Sequence, residues 1–269
     1  PVQIKLFFGF ILMLLFSTDT LMAQVPAAEQ NLDWFRSFFS KDVLVSRADQ
    51  LDQNNALIQE AMLAKDSLQL AHLYKEQAML YLFRVRQADM AMESFIKALT
   101  IEEKLNLQNE KVFSHLGMAK VFEDVSDYTR ATESLNSAIA ENEKHQDYNI
   151  LFYILNQKGR IGVLENDTTS ALEDFKQALA VKEHLDEPEM VGDVLLSMAH
   201  FYQKQTRYGE ALEYFKQTLS IRREYQNRFD EAGTLNDIGE LYALMNNDMR
   251  ALANHEAALS IRLQLKDKR

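Results

Sequence analysis

One column of alanines constrains this chain more than any other feature. Ala91, Ala131, Ala171, Ala211 and Ala251 stand 40 residues apart without drift. Four residues after each come Phe95, Leu135, Phe175, Phe215 and His255, then Ala98, Ala138, Ala178, Thr218 and Ala258, then Leu99, Ile139, Leu179, Leu219 and Leu259. Offsets of four, three and one trace a single apolar stripe on a helix. Small residues recur where two helices must approach, and large ones where a gap must be filled. A fixed period of this length marks a repeat array, whose units bury their apolar faces only by stacking.

A second helix precedes each of these. Its small-residue column is Met79, Ala119, Gly159, Ala199 and Gly239, followed three residues on by Leu82, Phe122, Gly162, Tyr202 and Tyr242. Asp127, Asp167 and Asn247 fall where an N-cap would accept from orphan backbone N–H groups. With 8 Gly and 3 Pro in 269 residues, the chain lacks the turn residues of a β-rich fold. The expected fold is all-α: a right-handed α-solenoid of stacked antiparallel helix pairs. Ala78 and Tyr81 match the first unit better than Met79 and Leu82, which implies one extra residue before Ala91. Gly162 predicts a bent or loosely packed helix, and His255 a partly exposed packing residue.

The segment Leu235-Asn236-Asp237-Ile238-Gly239-Glu240-Leu241-Tyr242, with Ala251, His255 and Ala258, resembles the tetratricopeptide repeat (TPR) signature. So do Leu195, Met198, Ala199, Tyr202, Tyr208, Ala211 and Phe215 in the unit before. The period of 40 is similar to the long-helix variety found in bacterial sensor and polarity-scaffold proteins. The extra length is expected in the helices, since the segments between units hold almost no Gly or Pro. Five units are expected over residues 65–269, with second helices around 89–104, 128–144, 168–184, 208–224 and 248–264. Residues 24–64 are expected to form a degenerate unit or cap, with Trp34, Phe35, Phe38 and Phe39 on one helical face.

Residues 1–23 read as a secretory signal peptide: Lys5, an apolar run from Leu6 to Phe16, then Leu21-Met22-Ala23 before Gln24. The run is short of the ~20 residues a membrane span needs. The expectation is an exported protein, periplasmic or secreted, with no membrane span in the mature chain. The chain has no Cys, so its fold rests on packing without disulfides. At the other end, Ile261 to Arg269 aligns with Ile221 to Phe229, where the chain runs on into another helix. A following membrane and output domain, or a partner over the last unit, is the corresponding expectation.

The net charge of −11, with Lys and Arg scattered among the acids, argues against nucleic acid as a ligand. His72, His115, His145, His184, His200 and His255 show no metal-ligand spacing, so no metal site and no cofactor is expected. No catalytic or nucleotide-binding motif occurs, and the chain reads as a non-enzyme. The TPR resemblance implies a concave groove lined by the first helix of each pair. The residue after the small column reads Leu80, Lys120, Arg160, His200 and Glu240; four before it stand Glu76, Leu116, Asn156, Leu196 and Asn236; three after it stand Phe83, Glu123, Val163, Gln203 and Ala243. The candidate peptide groove is therefore Lys120, Glu123, Asn156, Arg160, His200, Gln203, Asn236 and Glu240. The candidate packing residues are Ala91, Ala131, Ala171, Ala211, Ala251, Phe95, Phe175, Phe215 and Gly239. The functional expectation is an exported scaffold that binds a protein or peptide. The alternatives are the sensory region of a bacterial histidine kinase or transcription regulator, and a cytosolic peptide-sensing regulator.

Overall fold

The computed structural model describes residues 47–266. The segment 1–23, expected as a signal peptide, and the aromatics from Trp34 to Phe39 lie outside the described residues, which all belong to the unit Ser46–Arg269. Eleven α-helices follow one another there without a strand among the described residues: α1 Arg47–Ala64, α2 Ser67–Leu80, α3 Ala88–Lys104, α4 Gln108–Asp124, α5 Tyr128–Asn142, α6 Tyr148–Glu165, α7 Thr168–Ala180, α8 Val191–Lys204, α9 Tyr208–Glu224, α10 Arg228–Leu244 and α11 Asp248–Lys266. Each even-numbered helix from α2 to α10 packs most extensively on the helix after it. These five pairs are the five units; the first helix of each is called A and the second B. Helix α1 packs on α2 as the B helix of an incomplete unit would.

The period of 40 is two half-periods of 20. Arg86, Asn106, Ser126, Gln146 and Asn166, and then Thr206, Gln226 and Asn246, all take left-handed backbone conformations, with φ between 55° and 63°. Each sits just past a helix end. At Asn106, for example, its own N–H donates to the Glu103 carbonyl at 3.1 Å and the Leu107 N–H to the Glu102 carbonyl at 2.8 Å. This closes the orphan carbonyls of the helix end. Glycine usually fills such positions; here none of them is glycine, which is how a chain with 8 Gly makes so many turns. On the far side of the turns, Asp127, Asp167 and Asn247 cap the next helix by accepting from Arg130, Ser170 and Arg250 N–H groups at 3.1–3.2 Å. Asp66, Asp147 and Asn227 do the same.

Two departures from the register have visible causes. The left-handed residue before α2 is Lys65, which lies 21 residues before Arg86 instead of 20. The additional residue is absorbed by a π turn at Tyr81–Val85 that continues α2, as the better match of Ala78 implied. Columns upstream of that turn therefore shift by one: Lys75, not Glu76, aligns with Asn156, and Met79, not Leu80, aligns with Arg160. The second departure is the third junction. Helix α7 stops at Ala180 instead of near 184, and Lys182–His184 and Pro188–Met190 form short 3-10 turns. The extra length thus goes into helices everywhere but here, where Pro188 opens the short turn that leads into α8. Asn149 clamps this segment, donating to Asp186 Oδ2 at 2.8 Å and accepting the Asp186 N–H at 3.1 Å.

The alanine column forms the seam between paired helices. Ala91, Ala131, Ala171 and Ala211 are fully buried, as are Phe175 and Phe215, with Phe95 and Ala251 nearly so. Glycine marks the tightest approaches. A Cβ on Gly159 would overlap the Phe175 ring. Helix α6 runs unbroken through Gly162, whose missing side chain lets α7 close in: a Cβ there would stand 3.1 Å from the Ala171 backbone nitrogen. The expectation of a bent or loose helix fails because the partner helix moves into the space. His255 is half-buried against Gly239, where a Cβ would lie 2.7 Å from the imidazole.

A polar column near the B-helix ends ties units together. Glu102 accepts from Ser114 of the next A helix at 2.7 Å. Asn142 donates to the Asp147 carbonyl before α6 at 2.9 Å. Arg222 pairs with Asp193 of its own A helix and lies 3.7 Å from Asp230 of the next. In the irregular third junction the same position is Lys182, half-exposed and 3.8 Å from Glu183.

Candidate functional site

The A helices present the candidate residues, and the structure brings them together in pairs that cross from unit to unit. In α4, Lys120 lies 3.0 Å from Glu123 and 3.3 Å from Asp124. In α6, Arg160 donates to Gln157 at 3.0 Å and reaches Glu123 of the preceding unit at 3.9 Å. Lys120, Glu123 and Arg160 therefore form one mixed-charge cluster. Farther along, exposed His200 of α8 lies 3.7 Å from Asp237 of α10 and meets the edge of Phe215 with ring centres 5.2 Å apart. Burial pushes the Asp237 carboxyl above its ordinary range, and His200 opposes that. Asn236 donates to Glu240 at 2.7 Å, and its oxygen faces His255 Nδ1 at 2.9 Å. The partly basic row expected from the sequence is thus matched, residue by residue, with carboxylates.

Two candidates stand apart from these pairs. Asn156 and Gln203 hold buried amide oxygens with no hydrogen-bond partner among the described residues. Both lie on A helices, Asn156 near the middle of α6 and Gln203 in the last turn of α8. The sequence reading missed Lys204, which donates to the Val163 carbonyl and joins α8 to α6. Its spacing carried no signal, since the acceptor is a main-chain oxygen.

A second polar cluster was also missed. Lys75 is fully buried between the first two units, 3.1 Å from Glu102 and in direct contact with Glu110. Burial pushes the Glu102 carboxyl up, against the pull of the Lys75 ammonium. Burial and the Lys75 charge push the neighbouring His72 imidazole down. Its core is closed to ligands, so its role is to hold α2, α3 and α4 together. The π turn places Lys75 in the column where Leu116 and Leu196 stand in other units.

Among the described residues no group of three or more His, Asp or Glu is placed to hold a metal ion, and no helix is long and apolar enough to cross a membrane. The arrangement leaves the Arg160 and His200 side chains partly exposed, where their carboxylate partners can be exchanged for other charges.

Comparison with known proteins agrees with the geometry. Residues 191–264 match the tetratricopeptide repeat. No curated protein sequence matches the chain. The crystal structure of BtubC (BKLC) from P. vanneervenii is similar with a TM-score of 0.68 at 17% identity, over 82% of this chain and 93% of that one. Aspartyl phosphate phosphatase F from Bacillus subtilis gives 0.60 at 15%, over 80% and 68%. A Rap protein complexed with competence and sporulation factor gives 0.59 at 17%, over 81% and 71%. At these identities the likeness to the solved structures is one of fold. Residues 191–264 thus carry the tetratricopeptide repeat pattern, and the helix pairs before them share the fold of solved tetratricopeptide-like arrays.

Proposed function

We propose that this chain is a scaffold that binds a protein or peptide along the faces of its A helices. The observation that carries the reading is the row of partly exposed polar side chains that link successive A helices, Arg160 against Glu123 and His200 against Asp237. The Arg160–Glu123 and His200–Asp237 contacts on the same helices are long enough to be exchanged for ligand charges. The likeness to a Rap protein crystallised with a bound factor supports the same use of the fold.

The scaffold is exported in this proposal, with residues 1–23 removed as a signal peptide; the mature chain then begins at Gln24, which amino-terminal sequencing reads directly. Within it, the sensory-region reading is the second possibility, favoured by the apolar run Leu6–Phe16 ahead of a repeat array. The binding test is affinity capture from the source envelope with mass spectrometry. Wild type should retain a partner that the Asn156→Ala, Arg160→Glu double variant loses at unchanged helicity. Equal capture by both would place the binding elsewhere.

A further inference from the structure

The third junction breaks the repeat in a way that opens a groove beside α8. Lys182, Val191 and Ile221 stand two periods after Glu102, Lys111 and Glu141. At the earlier place α3 runs on to Lys104, Glu102 is fully buried, and Lys111 of α4 lies 3.8 Å from Glu141 of α5. At the later place α7 has already stopped at Ala180, Lys182 is 51% exposed, and Val191 and Ile221 stand where that charge pair was. A groove of about 560 Å³ opens there between α7, α8 and α9. Leu179, Val191, Leu195 and Ile221 form its apolar side, and Lys182 and Ser220 belong to its polar side. Its volume falls within the ~300–1,000 Å³ typical of small-molecule sites.

The segment that leaves this groove open is itself held in place. Leu185 and Met190 are buried. Asn149 of α6 exchanges hydrogen bonds with Asp186 in both directions, and Tyr148 stacks on His184 with ring centres 4.6 Å apart. None of these contacts uses a residue that lines the groove, so its shape is set before anything enters it. Tyr214 gives it a fixed wall, stacked on Tyr202 with ring centres 5.2 Å apart. Lys182 is the single charged residue of the lining, and its ion-pair partner among the described residues is the exposed Glu183, 3.8 Å away. An exposed pair of that length contributes little, so another anion can take the place of Glu183.

We propose that this groove binds a small amphipathic monoanion, a medium-chain carboxylate. Its head would meet the Lys182 ammonium, and its aliphatic body would cover Leu179, Val191, Leu195 and Ile221. One cation beside an apolar surface favours a ligand that carries both parts and a single charge. None of the lining residues belongs to the A-helix row of Lys120, Arg160 and His200. The two sites therefore test separately.

The probe is octanoate, titrated into the full chain by isothermal calorimetry. Wild type should bind it saturably at one to one. Octanol, with the same body and no charge, should bind at least tenfold more weakly, and Lys182→Gln should weaken octanoate binding by a similar factor. Ser220→Trp should block the groove, while Glu183→Gln should tighten binding by removing the competing carboxylate. Arg160→Glu should leave it unchanged. Lys182, Glu183 and Ser220 are exposed, so circular dichroism of these variants should match wild type. Absence of saturable octanoate binding, or binding indifferent to both Lys182→Gln and Ser220→Trp, would overturn the proposal. So would tighter binding of a peptide that ends in a free leucine carboxylate and is lost in Ser220→Trp, because it would assign the groove to a protein terminus.

Discussion

Replacing Lys75 by Met should destabilise the first two units sharply, and in a pH-dependent way. The Lys75 ammonium stands between the fully buried Glu102 and the nearly buried Glu110. At 3.1 Å and an effective dielectric of about 20, one such pair is worth about 5 kcal/mol of attraction before desolvation is counted. Removing the cation leaves two carboxylates with only Ser114 and half-buried His72 beside them. Breaking a buried pair from one side costs about 3–5 kcal/mol. Burial already raises the Glu102 folded-state pKa above its unfolded value. Protonation of Glu102 therefore favours folding; its contribution is full below the unfolded pKa and is lost as pH rises through the folded one. Lys75→Met raises that folded pKa further by removing the opposing charge. The deficit relative to wild type should be largest near pH 8 and shrink towards pH 5. The assay is urea denaturation by circular dichroism at both pH values, with native-state hydrogen exchange to locate the loss in α2–α4. Restoring neutrality with Lys75→Met, Glu102→Leu and Glu110→Gln together should recover most of the stability. A deficit under 1 kcal/mol, or one independent of pH, would refute the reasoning.

Thr206 is a β-branched residue at φ 57°, so Thr206→Gly should stabilise by about 0.5–1 kcal/mol in the same denaturation assay. Gly159→Ala should destabilise by about 1–3 kcal/mol, because its methyl meets the Phe175 ring. Asp127→Ala should lower the urea midpoint through loss of the cap on α5.

The repeat was legible because both 40 and its half place equivalent residues on equivalent helix faces, so the alanine seam and the Phe95, Phe175 and Phe215 positions could be found by counting. Caps were legible where Asp or Asn stood at the start of a B helix; Asp66, Asp147 and Asn227 act in the same way at A helices. Turns were not legible, because residues such as Gln146, Thr206 and Gln226 hold a conformation normally signalled by glycine. The third junction carries a sequence signal only in Pro188, which marks the turn before α8 and not the early end of α7. The candidate site was legible as a set of positions only. Pairing of Arg160 with Glu123, of His200 with Asp237 and of Lys204 with the Val163 carbonyl depends on the distance between stacked units, which periodicity does not carry.

The central claim is that the A-helix faces hold the ligand. Hydrogen–deuterium exchange on wild type, with and without its captured partner, tests it most directly. Added protection should fall on α4, α6 and α8, centred on Lys120, Asn156, Arg160 and Gln203, and should vanish in the Asn156→Ala, Arg160→Glu variant. Protection confined to the B helices α5, α7 and α9 would contradict it.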